Sequence, residues 1–384
     1  MVSLVSIADR IISAGEKIRP LWLRTQLFSL LFSLYTHMSR LKAIVSQIQL
    51  SVTIVKGKSK ETDECISFLF VGQKTFPLFL SDLLYNKPPE IKQVGKVFVW
   101  RLNHLSRFFP SDMDAVLVSC DGFYRRWLQK EDLFVFPHMV DMVLDVSDSF
   151  DVFYKKLPDS AKSDIRKVKK QINTYEVLSD INRLKFFYDK MYLPLYETRF
   201  ADMPLYKPPF TFFKWLHLIG YRLLLVKDAK GEYVSGSYFR VKGVTVTPRY
   251  NGVFDGDVEL IRKGAESAIY YFFIFHAQDQ NVSKLDFGGA RPFFNDGLFF
   301  YKRKWGMSVE SYGPVKELFG LRVVRERESL KQFLIHNPFI GLNEKNELIG
   351  FVFIDKNTFT ETLGKQLEKR FQTLGVNEFR FNKL

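Results

Sequence analysis

The sequence predicts an α/β protein of more than one domain, built on mixed sheets, and three observations carry this. The first is length, since 384 residues are too many for one ordinary core. The second is a set of short runs rich in Val, Phe and Ile, at 66–71, 94–102, 115–120 and 142–146, that read as strands. The third is apolar spacing of three and four residues, over 160–172 and 258–280, that reads as helix. A hydrophobic share of 46% with 26% charged residues is that of a globular chain.

The formal net charge of +14 suits anionic partners: nucleic acid, phosphorylated carriers, nucleotide-sugars or acidic lipid. Cys65 and Cys120 are the only cysteines, which excludes a disulfide framework and a four-cysteine zinc site and points to a reducing compartment, hence the cytoplasm. Six scattered histidines add no metal set. His104, His138 and His276 sit beside apolar residues and read as packing or turn residues.

The chain opens with a helical segment over residues 1–50. Gln26, Ser29, Ser33, His37 and Arg40 form a polar stripe in an otherwise Leu- and Phe-rich run. Arg24 interrupts the run, which argues against a membrane span. Two readings stay open: a helix packed on the protein's own core, or an in-plane membrane anchor with Arg10, Lys17, Arg19, Arg40 and Lys42 near acidic lipid. Alternating elements fill 51–150, with breaks at Asn86-Lys-Pro-Pro89 and Phe109-Pro-Ser111. Asp159 or Ser160 is the expected N-cap of a basic helix. On that helix Ile165, Val168 and Ile172 share one face, and Lys162, Arg166 and Lys169/Lys170 another. A strand at 174–178 follows, then a helix over 181–200.

Strands at 222–227 and 233–242 make a hairpin about Asp228-Ala-Lys-Gly231, and 244–250 extends it. Gly236 and Ser237 keep the middle strand slim enough for a ligand to approach its backbone. Tyr250-Asn251-Gly252 ends the meander. Arg262, Lys263 and Gly264 lie at the start of the 258–280 helix, where free amides and positive charge can hold a phosphate. Then comes Lys284-Leu-Asp-Phe-Gly-Gly-Ala-Arg-Pro292, a strand ended by two glycines, with Arg291 just past its end. Asn295-Asp-Gly297 is a turn, and Tyr301-Lys-Arg-Lys-Trp-Gly306 sets three cations between two aromatics. The tail carries a strand at 348–354, a helix at 361–374 and a strand at 378–381.

Three of these blocks, in order, resemble the Fem-type aminoacyltransferases and related acyltransferases of the GNAT superfamily. They are the basic helix with its strand, the Met191-Tyr192 helix end with Pro194 and Arg199, and Asp286-Phe-Gly-Gly289 followed by Tyr301-Lys-Arg-Lys-Trp-Gly306. They span about two-fifths of the chain. The resemblance implies tandem GNAT-like domains: a degenerate first one over 51–150, a second over 151–310, then a small β-α-β appendage over 311–384. It implies transfer of an activated acyl or aminoacyl group to an amine, in cell-envelope or polysaccharide metabolism. The central strands of such a fold diverge and hold the acyl group in the gap. Lys302 becomes the charge stabiliser and Asp286 the acceptor of the amine's proton. Arg166, Lys170, Tyr192, Arg199, Tyr250, Asn251, Arg291, Asp296 and Tyr301 become substrate contacts, and Arg262, Lys263 and Gly264 cofactor contacts.

The implied donor is anionic, aminoacyl-tRNA or acyl-CoA, used as co-substrate with no tightly bound cofactor and no metal. The implied acceptor is an amine, with nucleotide-sugar and lipid-linked amines both fitting. The sequence departs from the pattern at the coenzyme A pyrophosphate loop, Gln/Arg-x-x-Gly-x-Gly/Ala, of which Arg262-Lys-Gly-Ala265 is at best a remnant. The other reading is a non-catalytic protein of this fold that binds membrane or an anionic polymer.

Overall fold

The computed structural model describes residues 21–73, 75–108, 112–128, 133–200, 207–311 and 317–384. The expected cations Arg10, Lys17 and Arg19 and the break at Phe109-Pro-Ser111 lie outside the described residues. The fold is mixed α/β and begins with a helix, α1 (Leu21–Ser46). The strands are β1 (Gln49–Lys58), β2 (Cys65–Gly72), β3 (Glu90–Phe98), β4 (Ala115–Asp121), β5 (Phe134–Pro137), β6 (Val140–Asp145), β7 (Ile172–Leu178) and β8 (Arg222–Asp228). They continue with β9 (Tyr233–Lys242), β10 (Thr245–Val253), β11 (Lys284–Ala290), β12 (Ser308–Ser311), β13 (Glu317–Val323), β14 (Phe339–Leu342), β15 (Leu348–Ile354) and β16 (Phe379–Lys383).

Two compact units share the chain, and each is discontinuous. One takes residues up to His37, then Val143–Gly288 and Lys304–Met307; the other takes Met38–Met142, Gly289–Arg303 and Ser308–Leu384. They are called here the β7–β11 unit and the β1–β5 unit. The sequence divides the chain into continuous segments instead, because a strand that joins a sheet from far along the chain leaves no local mark.

In the β1–β5 unit a six-stranded sheet runs β3-β1-β2-β4-β13-β5. The strand β13 enters between β4 and β5, antiparallel to both. A small sheet, β14-β15-β16, completes the unit. Its aromatic core packs Phe136 against Phe319 and Phe339. The expected strand at 94–102 stops at Phe98, and Val99–Phe108 continues as a 3-10 helix.

In the β7–β11 unit the strand order is β6-β11-β10-β9-β8-β7. Strands β8 to β10 form an antiparallel meander through short turns, and β7 pairs antiparallel with β8 although a helical segment separates them in the chain. Two helices of this unit pack on each other. The first, α2 (Asp159–Gln171), buries Ala161, Ile165 and Val168. Its N-cap is Pro158 with no side-chain cap, in place of Asp159 or Ser160: the Pro158 carbonyl accepts from the amides of Ala161 and Lys162. The expected 258–280 helix is two helices, α3 (Val258–Arg262) and α4 (Ala265–Asp279). They part at Gly264, which takes the left-handed backbone (φ 103°) that few other residues adopt. Helix α1 buries Phe28 against Trp215. Ser29, from the expected polar stripe, accepts a hydrogen bond from Arg240 at 3.1 Å.

Candidate functional site

The strands β10 and β11 are parallel but pair only at Thr245–Lys284 and Val246–Leu285. Beyond that point they part. The cause lies in β10. A bulge between Pro248 and Tyr250 shifts its register with β9. Proline cannot donate to a ladder, so a proline inside a strand favours such an irregularity. The bulge sets Arg249 outside the β9–β10 register.

Arg249 bridges the parted strands. Its Nη2 donates to Asp286 Oδ2 at 3.0 Å, and both side chains are less than a third exposed. Asp286 Oδ1 accepts from the Gly288 amide at 2.8 Å. Gly288 is left-handed (φ +73°), and a Cβ there would stand 2.5 Å from Arg249 Nη1. The left-handed backbone favours glycine here, and a side chain would also displace the Arg249 guanidinium.

Polar atoms without protein partners lie on β10 and its other neighbour, β9. Asn251 of β10 is the register partner of Ser237 of β9. Asn251 Oδ1 and Ser237 Oγ are both buried and neither has a hydrogen-bond partner. Such orphans are rare in native proteins, where buried polar atoms are nearly all paired. The neighbouring Ser235 hydroxyl is satisfied, donating to the Ala265 carbonyl at the start of α4 at 2.7 Å.

An aromatic wall stands beside β10. Residues Ile181–Phe187 are α-helical, Tyr188–Tyr192 form a π turn, and Leu193–Phe200 resume the α-helix. A π turn is a feature frequent at functional sites. Gly252 makes the close approach possible, since a Cβ there would lie 2.7 Å from the Met191 and Tyr192 backbone. Tyr192 meets Tyr250 edge-on at 5.8 Å, and Phe213 lies 5.0 Å from each. Burial, and then the neighbouring Tyr250, push the Tyr192 hydroxyl well above the usual phenol range.

The remaining expected residues fall into separate groups. Arg199 pairs with Glu266 in the first turn of α4. Arg262 pairs with Glu259 at 2.5 Å on an exposed surface, and Lys263 is exposed. Arg166 and Lys170 are exposed on α2 and make no ion pair among the described residues. In the β1–β5 unit, helix α5 (Gly297–Lys304) is capped by Asp296, whose Oδ1 accepts from the Phe299 amide at 2.9 Å. Arg291 lies 3.9 Å from Asp296 Oδ2 and over the Phe79 ring. Lys302 is 4% exposed, and its ammonium donates to the Gly289 carbonyl at 3.0 Å. Tyr301 is half-buried.

In the β7–β11 unit Lys304 pairs with Asp164 of α2 at 2.5 Å, both largely buried. Trp305 is fully buried and stacks on Tyr270, which stacks on Phe287 of β11. Among the described residues no group of His, Cys, Asp and Glu could hold a metal ion.

No protein-family model and no curated protein matches the chain in sequence. Solved structures do show similarity. FemX is 13% identical with a TM-score of 0.37, over 70% of this chain and 83% of FemX. L-PGS from Bacillus licheniformis is 12% identical with a TM-score of 0.35, over 72% of this chain and 87% of that one. A tandem GNAT protein from the clavulanic acid biosynthesis pathway is 10% identical with a TM-score of 0.28, over 64% and 78%. At these scores none of them lends a role to any residue of this chain.

Two site features escape the sequence reading. Arg249 is one, although Pro248 inside a strand pattern is a signal for the bulge that displaces it. The orphan pair is the other: Ser237 is singled out only for its size, and its register with Asn251 depends on that same bulge.

Proposed function

We propose that the chain transfers an activated acyl or aminoacyl group to an amine, with the gap between β10 and β11 as the acyl cleft. One observation carries this reading: a parallel strand pair that parts after two residues and is spanned by an ion pair. The three sequence blocks shared with Fem-type and GNAT-like acyltransferases support it, as a GNAT-like fold places its acyl group in such a gap.

In the reaction the amine nitrogen bonds to the acyl carbonyl carbon, and the bond from that carbon to the carrier oxygen or sulfur breaks. The amine loses a proton and the leaving group gains one. Asp286 is the acceptor for the amine's proton, and Arg249 with the Gly288 amide fixes its carboxylate. The backbone at the bulge, where the register with β9 shifts, is the candidate source of a donor to the developing oxyanion. Asn251 and Ser237 supply polar contacts to the bound acyl donor, and Tyr192 and Tyr250 wall the cleft. Lys302 acts at the end of β11 through the Gly289 carbonyl, which follows Asp286 in the chain.

The donor that fits is an aminoacyl ester on tRNA, which the charge of +14 would attract. Coenzyme A fits less well. Its pyrophosphate would need the N-terminus of α4, where Glu266 supplies an acid that opposes a phosphate and occupies Arg199. On the β7–β11 unit the α2 cations Arg166 and Lys170 are the contacts assigned to the carrier. The test incubates the full chain with aminoacyl-tRNA or acetyl-CoA and a pool of nucleotide-sugar and lipid-linked amines, and reads acylated products by mass spectrometry. Transfer from aminoacyl-tRNA, lost in Asp286→Asn, is expected. A folded protein that transfers from neither donor sinks the reading in favour of a non-catalytic binder.

A specific observation favours a membrane surface as the place of action. Helix α1 exposes Leu23, Leu27, Leu30, Leu34, Met38, Leu41 and Val45, from 41% at Leu27 to 72% at Met38. These recur at three- and four-residue spacing, a continuous apolar stripe. Arg40 and Lys42 adjoin it. No described helix is long and apolar enough to cross a membrane, so the stripe suits binding in the plane of the interface. This reading implies a cytoplasmic reaction at an acidic lipid surface.

A further inference from the structure

The β1–β5 unit contains a cleft of about 330 Å³ that has no part in the acyl-transfer reading. A volume of that order suits a small organic ligand. Its apolar walls are Leu133, Phe134, Val135, Leu342 and Phe351. Phe134 is held edge-on against Phe351 at 5.2 Å, so this side is rigid. The polar side is Arg125, Asn343, Glu344, Arg380 and Asn382.

Arg125 is the unusual member. It begins the short helix Arg125–Leu128, and its Nη2 donates to the Asn343 carbonyl at 3.0 Å. Its Nε is buried with no partner. Among the described residues no carboxylate pairs with it. A guanidinium has five N–H donors, and leaving a desolvated one unneutralised is costly. Burial accordingly pushes Arg125 below the usual arginine range.

Its neighbours are already engaged. Arg380 donates to Glu378 at 2.8 Å, and Asn382 to the Arg380 carbonyl at 3.1 Å. The Asn343 side chain is bound in its own turn, with the amide and carboxylate of Glu347. With Arg380 paired to Glu378, Arg125 is the guanidinium on this lining that has no carboxylate partner among the described residues, and a negative charge is what it lacks.

We propose that this cleft binds a small carboxylate with an apolar body, the head on Arg125 and the body on Phe134, Leu342 and Phe351. The site is separate from the β10–β11 gap in residues and chemistry, so it stands whether or not the chain is a transferase.

Titration calorimetry on the full chain tests it, with hexanoate, hexanol, hexylammonium and inorganic phosphate as probes. Saturable hexanoate binding is expected, with hexanol weaker by about ten-fold or more, the scale of a lost charge-assisted bond. Arg125→Gln should weaken hexanoate by a similar factor, and Arg125→Lys should recover part of it. Leu342→Trp should abolish binding by filling the cleft. No hexanoate binding, equal binding of hexanol, or phosphate bound as tightly as hexanoate overturns the proposal. If Arg125→Gln does not fold, Leu342→Trp decides, and hexanoate binding retained there overturns it too.

Discussion

Each of the two large sheets contains a parallel strand pair, β2–β4 in one and β10–β11 in the other, and these two pairs have opposite character. β2 and β4 stay in register from Phe68–Ala115 through Val71–Val118, and every residue of β4 is buried. β10 and β11 pair at two positions and part. The difference follows from side chains. The first pair carries Phe, Leu, Ala and Val on both faces, so closure is the way to bury them. The second carries Pro248, a bulge, and an arginine and an aspartate that reach across to each other. Parting leaves backbone unpaired, which a purely structural sheet would avoid. The closed pair is a scaffold, and the parted pair is where we assign chemistry.

The sharpest way to break that contrast is one substitution in each pair. Asp286→Asn should lower acyl transfer by about a hundred-fold or more with little change in melting temperature. Arg249→Gln should follow it, with the larger effect on turnover. Leu117→Ala, in the closed pair, should do the reverse. Leu117 is 2% exposed, so its truncation should cost about 2–5 kcal/mol of stability and leave turnover per folded molecule intact. Transfer rates and melting curves of the three variants check this. Asp286→Asn at full activity would end the assignment.

A second pair of variants separates two lysines of one run. Lys302→Met removes a buried ammonium from the Gly289 carbonyl and should cut turnover by about a hundred-fold. Lys304 cannot serve as a silent control, because its head group is paired with Asp164 at 2.5 Å. Lys304→Met leaves that largely buried carboxylate alone and should cost about 2 kcal/mol, read as a melting temperature lower by a few degrees. Equal, mild losses of activity in both would make the two largely buried ammonium groups structural and remove Lys302 from any part in catalysis.

Smaller in effect is the α1 stripe. Replacing Leu30, Leu34, Met38 and Leu41 together by Ser should weaken flotation with anionic liposomes and leave the melting temperature nearly unchanged, since all four are exposed. A large drop in melting temperature with no change in flotation would return the helix to the protein's core.

Much of this was legible in the sequence where local chemistry decides. The strands β2, β4, β8 and β9 show their apolar runs and turns, and Ile165 and Val168 show the buried face of α2. Asp286, Tyr192 and Tyr250 are named from motif and position, and the proposed cleft is built on them. What stayed hidden depends on partners distant in sequence. The stripe on α1 was visible, but not that its apolar side would face outward while Ser29 turned inward to Arg240. Hydrophobic periodicity shows that a helix has two faces, never which one finds a partner. Likewise β13 reads as an ordinary strand, and only its pairing with β4 and β5 makes it central.

The smallest expected effect tests the other face of the parted sheet. His276 of α4 is 6% exposed, with Phe239 of β9 and Tyr175 of β7 against its ring. Its Nε2 has no partner. Burial holds its pKa below the ordinary 6.5, with Arg222 adding to the effect and Asp279 opposing it. In the unfolded chain the ring binds a proton near its ordinary value, while the folded chain resists it. The unfolded state therefore binds more protons below about pH 6.5, and stability falls as pH drops through that point. Above it His276 contributes no slope. His276→Phe keeps the ring's shape and removes the titration, so its melting temperature should lose part of the decline between pH 6.5 and 5. An identical pH profile in the variant would mean that His276 takes its proton as readily folded as unfolded, and that this face of the sheet is wetter than its packing shows.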